Sequence, residues 1–197
     1  WILSEPAHIF TTEAIAMLFG RMASNAEWLY DMKLISSEEK PEIESAGRNL
    51  LRLEQLVFSR WVQVMYRFEK AMYENPLQDL NSLWWSLAEK YQMIKKPEDR
   101  NSPDWAAKIH VALYPAYYHN YMLGELLASQ LNSYICRKVI GTEKLTHSFC
   151  GIKNVGSYLK HLVFSPGSVY KWDEMIFKAT GEKLTPAYYA EQFISGE

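Results

Sequence analysis

The stretch from Lys108 to Tyr121 carries the densest set of side chains that could do chemistry. It packs one lysine, two histidines and four tyrosines into fourteen residues. Tyr118 and Tyr121 are three residues apart, so on a helix they share one face and point their hydroxyls into one cleft. Such hydroxyls suit hydrogen bonds to a polarised carbonyl oxygen or a tetrahedral oxyanion. The alternative is that the tyrosine rings line a core and their hydroxyls reach water.

The remaining histidines and the cysteines complete no common metal motif within this sequence. The five histidines are His8, His110, His119, His147 and His161. No two of them are four residues apart, so the chain lacks His-Glu-x-x-His, the motif in which two histidines on one helix face bind zinc. Cys136 and Cys150 do not form a Cys-x-x-Cys pair, and a zinc knuckle is not expected. A glycine-rich phosphate loop and a Gly-x-Ser-x-Gly elbow are absent too, so the motifs alone indicate no enzyme class.

The composition describes a globular chain without a bias toward nucleic acid or membrane. Hydrophobic residues make up 48% and charged residues 22% of the 197 residues, which excludes wholesale disorder. Twenty-one basic residues face 23 acidic ones, giving a net charge of -2. Nucleic-acid binders normally carry a basic excess, and none is present. No apolar run approaches the roughly 18 residues that span a bilayer, so no membrane span is predicted.

Helical periodicity dominates the elements that must position these groups, and no run alternates like a strand. The predicted fold class is therefore all-α. The predicted helices run from Thr11 or Thr12 to Gly20, then over 26–34, 41–74, 76–91, 115–139, 153–163, 167–180 and 186–195. A polar loop with prolines is predicted over 95–107. Without a repeat or an obvious linker, residues 1–197 are predicted to form a single all-α unit.

Several motifs stand in a fixed order along the chain. They are Thr12-Glu13-Ala-Ile-Ala, Asn81-Ser-Leu-Trp-Trp-Ser-Leu-Ala-Glu-Lys-Tyr-Gln92, Lys108-Ile-His110, Tyr118-x-x-Tyr121, the pair Cys136 and Cys150, and a closing segment from Gly156 to Tyr189. Together they resemble the C-terminal part of the angiotensin-converting-enzyme-like zinc metallopeptidases, peptidase family M2. The similarity to the thimet oligopeptidase and oligopeptidase F group, family M3, is more distant.

The resemblance implies the multi-helix C-terminal portion of a gluzincin-type helical peptidase. In that family the catalytic base and two histidine zinc ligands lie in a His-Glu-x-x-His helix, which would precede residue 1. The chain opens at Trp1 without a methionine, and we expect it to be a fragment of a longer protein. The N-terminal remainder of that protein would then be a partner of this chain, and the fragment alone is expected to be inactive.

The resemblance also implies a role for five residues. Glu13 would be a carboxylate zinc ligand, completing a site whose other ligands lie upstream. His110 and Tyr121 would hydrogen-bond the tetrahedral intermediate. Lys108 and Tyr118 would hold the free C-terminal carboxylate of a peptide substrate, from which the enzyme releases dipeptides. The alternatives are a helix-end Glu13 stabilised by the macrodipole and a solvated surface Lys108.

Three features depart from the family pattern. Met17 stands where the family has an aspartate that orients a zinc-bound histidine, so this support is missing or rebuilt. Asn120 replaces an arginine that binds chloride, so chloride activation through that site is not expected. The spacing between His110 and Tyr121 differs from the family's by one residue.

The two cysteines fall where the family carries a local disulfide. A bond between Cys136 and Cys150 would close a short loop and stabilise the fold by roughly 3 kcal/mol in the chain-entropy picture. Such a bond implies an oxidising compartment, so a periplasmic or secreted protein is predicted. The alternative is two free thiols in a cytosolic protein.

Three functions remain open at this point. The first is a zinc-dependent peptidyl-dipeptidase of which this chain is the C-terminal half. The second is a non-catalytic all-α peptide-binding or interaction module on a peptidase scaffold, which Met17 favours. The third is an endo-oligopeptidase similar to family M3, which would share Glu13 and Tyr121 but would not depend on Lys108.

Overall fold

The computed structural model describes residues 2–194, and the all-α prediction is confirmed, because no β-strand occurs in that range. The helices are α1 (Ile9–Gly20), α2 (Ala26–Asp31), α3 (Lys40–Glu74), α4 (Leu80–Gln92), α5 (Ile109–Ala112), α6 (His119–Tyr134), α7 (Lys153–Leu159), α8 (Trp172–Thr180) and α9 (Ala187–Phe193). Short 3-10 turns lie at Ile2–Ser4, Arg21–Ser24 and Asp104–Ala107, and π-helical turns at Ile135–Ile140 and Lys160–Phe164. Within residues 2–194 the search found no helix with the length and apolarity to cross a membrane.

The helix ends differ from the predicted ones where a cap decides them. α4 begins at Leu80 rather than at Pro76, because the Asp79 side chain accepts a hydrogen bond from the backbone N–H of Ser82 and serves as N-cap. α1 begins two residues before Thr11, with His8 as its N-cap. The predicted end of the last helix, at residue 195, lies outside the described residues.

The chain divides into two compact units. The first unit comprises Trp1–Leu53 and Leu123–Glu197, and the second comprises Glu54–Met122. The sequence had predicted a single unit. Both boundaries fall inside helices, α3 and α6, so no glycine- or proline-rich linker marks them in the composition.

The core of the first unit is built around α1. Phe10, Ala14 and Leu18 are spaced four residues apart and are almost fully buried, so they form one apolar stripe of the helix. They belong to one core cluster with residues of α6, α7 and α8. At Gly124 of α6 the two helices approach closely, because an added Cβ would lie 2.9 Å from the Glu13 Cβ. Only glycine allows this approach, which fixes the part of α1 that carries Glu13.

The core of the second unit consists of large side chains from α3 and α4. Val64, Met65 and Phe68 of α3 are buried together with Trp84 of α4. The rings of Phe68 and Trp84 meet edge to face, with centroids 5.2 Å apart. This geometry is favourable for aromatic pairs and adds to the free energy gained by burying their area.

The two cysteines are free thiols in this structure. Cys136 is buried in the first-unit core, whereas Cys150 is exposed and its Sγ lies 3.9 Å from the Sδ of Met32. Burial raises the pKa of the Cys136 thiol to about 11. The disulfide predicted between them is therefore not formed here, because one thiol faces the core and the other faces solvent. The predicted periplasmic or secreted location loses its support from that bond.

Candidate functional site

The segment that carries Lys108 is fixed from its N-terminal side. Asp104 accepts hydrogen bonds from the Arg100 guanidinium and, at 3.1 Å, from the Trp85 indole N–H of α4. The Arg100 guanidinium holds the pKa of the Asp104 carboxyl below its usual range. The 3-10 turn Asp104–Ala107 follows, and Lys108 is the N-cap of the short helix α5. The anchored aspartate thus determines where Lys108 begins its helix.

The segment that carries Tyr118 is fixed by a buried carboxylate. The backbone N–H of Ala116, which has a left-handed φ of 53°, donates to Oε1 of Glu69 on α3. Glu69 is only 5% exposed and also accepts a hydrogen bond from the Tyr73 hydroxyl at 3.3 Å. A charge-assisted bond of this kind is stronger than a neutral one. It offsets the cost of the unusual backbone conformation two residues before Tyr118.

The structure brings together His110, Tyr118 and Tyr121. The Nε2 atom of His110 lies 3.0 Å from the Tyr121 hydroxyl oxygen. The His110 ring meets both tyrosine rings edge to face, with centroids 4.9 Å from Tyr118 and 5.5 Å from Tyr121. All three side chains are half-buried, so they combine fixed geometry with access to a ligand.

Trp61 of α3 joins Lys108 and Tyr118 to the same group. The Trp61 indole N–H donates a hydrogen bond to the Tyr118 hydroxyl oxygen at 2.6 Å. The Lys108 ammonium lies 4.8 Å from the centroid of the Trp61 ring, within the range of a cation–π contact. The four predicted residues Lys108, His110, Tyr118 and Tyr121 therefore form one cluster in the second unit, which we call the tyrosine cluster together with Trp61.

The electrostatics of the tyrosine cluster suit an anionic ligand. Burial raises the pKa of the Tyr118 hydroxyl, although the bond from Trp61 opposes this. Tyr118 is therefore a neutral hydroxyl at pH 7 and keeps a proton that it can donate. Within residues 2–194 the contact recorded for the Lys108 ammonium is with an aromatic ring and not with a carboxylate. The cluster thus presents one cation and phenolic donors without a charged partner of its own.

Glu13 is not a member of this cluster, because it belongs to the first unit. It is half-buried on α1, next to the close approach at Gly124. Met17, one turn further along α1, would also meet a Cβ at Gly124, with its Sδ at 3.2 Å. The position that the family pattern gives to an aspartate thus carries an apolar side chain against α6.

The described residues do not fit a complete metal site. Within residues 2–194 no group of three or more His, Cys, Asp or Glu side chains is placed to hold a metal ion. Zinc sites in enzymes use three protein ligands and one open position. Glu13 could supply one ligand, and the others would have to come from outside this set of residues.

Sequence reasoning missed two residues of the site, Trp61 and Glu69. Trp61 was assigned to the apolar face of α3, and Glu69 was given no role. Their contacts with Tyr118 and Ala116 join residues 57 and 47 positions apart, and helical periodicity carries no signal at that separation. A polar residue buried on an otherwise apolar helix face was the one available hint for Glu69.

The first unit contains a cavity that the sequence did not suggest. Its volume is about 260 Å³, and it is lined by side chains that include Arg21, Arg48, Arg52 and Phe193. Arg21 is nearly buried and forms an ion pair with Glu125. None of the five predicted site residues lines this cavity.

Comparison with known proteins supports the resemblance. The sequence model of the angiotensin-converting enzyme family matches residues 2–190. The angiotensin-converting enzyme-like protein Ace3 of Mus musculus is 25% identical over 188 residues, which cover 92% of this chain and 25% of that protein. The inactive angiotensin-converting enzyme-related protein of Caenorhabditis elegans is 29% identical over 114 residues, which cover 55% of this chain and 13% of that protein. The chain thus spans a quarter or less of the curated relatives that it matches.

Proposed function

Because the chain belongs to the angiotensin-converting enzyme family, we propose that it forms the C-terminal part of a zinc metallopeptidase that releases dipeptides from peptide C-termini. The observation that supports this proposal is the tyrosine cluster, in which a lysine, a histidine and two tyrosines converge in one unit. A peptide with a free C-terminus is the proposed substrate. Each half of the cluster has a separate task.

The first task is to bind the C-terminal carboxylate of the peptide. The Lys108 ammonium supplies a positive charge, and the Tyr118 hydroxyl supplies a neutral donor beside it. Hydrogen bonds in which one partner is charged contribute about 1.5–3 kcal/mol each. This pair therefore favours a free carboxylate over an amide, which lacks the negative charge.

The second task is to donate hydrogen bonds to the carbonyl oxygen of the peptide bond that is cut. Tyr121 can do so when its own oxygen accepts a bond from Nε2–H of His110, which lies 3.0 Å away. In that tautomer the Tyr121 proton stays free for the substrate. As negative charge develops on the carbonyl oxygen these bonds strengthen, and removing one such donor typically lowers kcat about 100- to 1,000-fold.

Zinc does not enter these two tasks. The described residues do not complete a zinc site, so no step of the reaction is assigned to the metal here. Glu13 is the single side chain that we propose as a ligand. On this proposal the chain alone binds peptides without cleaving them, and cleavage requires the remainder of the protein.

The test uses the full-length protein and one peptide in two forms, with a free C-terminal carboxylate or a C-terminal amide. We expect cleavage of the free form, with release of its C-terminal dipeptide, and much slower cleavage of the amide. Tyr121→Phe should lower kcat about 100- to 1,000-fold. Tyr66→Phe, at a 45% exposed tyrosine of α3, is the matched control. Equal rates on both forms would instead indicate an endo-oligopeptidase.

A second candidate is a peptide-binding module without catalysis. Met17 favours it, because a thioether in place of a carboxylate cannot orient a zinc-bound histidine. One relative is also named inactive. Zinc analysis of the full-length protein separates the candidates: stoichiometric zinc that is lost in Glu13→Ala supports the peptidase. Peptide binding without zinc supports the module.

A further inference from the structure

Trp61 touches both groups to which we assign the peptide carboxylate. Its indole N–H donates to the Tyr118 oxygen at 2.6 Å, and its ring faces the Lys108 ammonium at 4.8 Å. We propose that Trp61 is the positioning residue of this subsite, holding Lys108 and Tyr118 in the arrangement that selects peptides with a free C-terminal carboxylate. This inference rests on the proposed function, since it concerns how the same subsite reaches its specificity.

The hydrogen bond determines which way the Tyr118 hydroxyl points. An indole N–H is a donor only, so the Tyr118 oxygen must act as acceptor in this bond. The hydroxyl proton of Tyr118 is then directed elsewhere and remains available to a ligand. A hydroxyl that already accepts a hydrogen bond is also a better donor. Trp61 thus prepares Tyr118 to donate to a carboxylate oxygen.

The aromatic face places Lys108 without neutralising it. A carboxylate partner would hold the ammonium as firmly but would compete with the carboxylate of the peptide. An indole ring attracts the cation through its quadrupole and leaves its formal charge intact. Lys108 is also half-buried, so its charge is less screened by water than that of an exposed lysine.

Trp61 can position other groups because it is itself held by the core of the second unit. Its ring meets Trp84 edge to face at a centroid distance of 5.8 Å and an interplanar angle of 87°. Trp84 in turn packs against Phe68 in the same geometry. The position of the indole is therefore set by buried neighbours before any ligand binds, which lowers the entropy lost when a peptide is ordered on the site.

The experiment measures peptide affinity by calorimetry on the full-length protein, so that it does not require catalysis. The probes are one peptide with a free C-terminal carboxylate and the same peptide as its amide. Trp61→Phe keeps an aromatic face but removes the N–H, and it should weaken binding of the free form about fivefold. Trp61→Leu also removes the cation–π contact, and we expect a total loss of about twentyfold. Binding of the amide should be unchanged in Trp61→Phe.

A double variant separates positioning from a general structural role. If Trp61 acts through Tyr118, then adding Trp61→Phe to Tyr118→Phe should weaken binding much less than it does in the wild type, because the hydroxyl that it orients is already gone. Fully additive losses would overturn the inference. Trp172→Phe, a tryptophan of the first unit, is the control for losing an indole elsewhere, and unfolding midpoints check that Trp61→Leu remains folded.

The failure of this inference differs from the failure of the proposed function. A wild-type protein that binds the acid and the amide equally well contradicts the proposed carboxylate subsite. A wild-type protein that prefers the acid, with the same preference in Trp61→Phe and Trp61→Leu, keeps the subsite but overturns the role of Trp61.

Discussion

A cation is surrounded by protein in both units, but its charge is treated differently in each. In the first unit the guanidinium of Arg21 forms an ion pair with Glu125 and donates hydrogen bonds to Ser129 and Gln192, both at 3.1 Å. In the second unit the ammonium of Lys108 faces an indole ring. The first charge is neutralised by partners on other helices and holds the fold together. The second keeps its charge and its free N–H groups, so it can serve a ligand.

The comparison teaches how to separate a structural charge from a functional one. Burial alone does not, since Arg21 is more buried than Lys108. What distinguishes them is whether the donors already have partners, because a group that is fully hydrogen-bonded has nothing left to offer a substrate. On this criterion the tyrosine cluster, and not the Arg21–Glu125 pair, is the candidate site. Four predictions sharpen or break this contrast.

The largest effect should come from breaking the ion pair in the first unit. Glu125→Ala leaves the nearly buried Arg21 charge without a counterion and should lower the free energy of unfolding by about 3–5 kcal/mol. Urea unfolding measures this. Glu174→Ala, which removes one partner of the exposed Glu174–Lys178 pair of α8, should change it by less than about 1 kcal/mol. Equal losses in both variants would show that Arg21 is not a structural charge.

The next effect concerns the charge in the second unit. Lys108→Met keeps the length of the side chain but removes the ammonium, and it should weaken binding of a peptide with a free carboxylate by about 1.5–3 kcal/mol. The free energy of unfolding should change little, because Lys108 has no charged partner to lose. Calorimetry and urea unfolding on the same variant test both statements. Lys70→Met at an exposed lysine is the control. A large loss of stability without a loss of binding would make Lys108 structural.

A smaller effect should follow from Glu69→Gln, which belongs to neither class of cation. The amide still accepts a hydrogen bond from Ala116, but the bond is no longer charge-assisted, so about 1 kcal/mol of stability should be lost. Because this bond fixes the turn before Tyr118, peptide affinity should also fall slightly. Urea unfolding and calorimetry measure the two changes. An unchanged protein would show that the turn is held by other contacts.

The smallest effect on stability concerns the thiols of the first unit. Iodoacetamide at pH 8 under native conditions should modify Cys150 and spare Cys136, since a thiol with its pKa raised to about 11 and a buried position is protonated and inaccessible. Mass spectrometry of the labelled protein gives the result. Labelling of neither cysteine until a reductant is added would instead show that the predicted disulfide forms in solution.

The structure also shows where local pattern was sufficient and where it was not. The long helix α3 was predicted within one residue of its bounds, because its apolar side chains recur every three to four positions over many turns. The start of α4 was predicted four residues early, because a proline suggests a helix start but a capping aspartate fixes it. The single predicted unit was divided in two, because unit boundaries inside helices leave no trace in composition.

The sequence by itself determined the helical fold class, the family and the crowding of Lys108, His110, Tyr118 and Tyr121 into one short segment, since these depend on residue types and on spacings of a few positions. Only the tertiary structure decided which groups support that segment. Trp61 and Glu69 reach it from 57 and 47 residues away, and the two free thiols follow from which side of a helix faces the core. Such contacts arise when distant helices pack, and no local spacing encodes them.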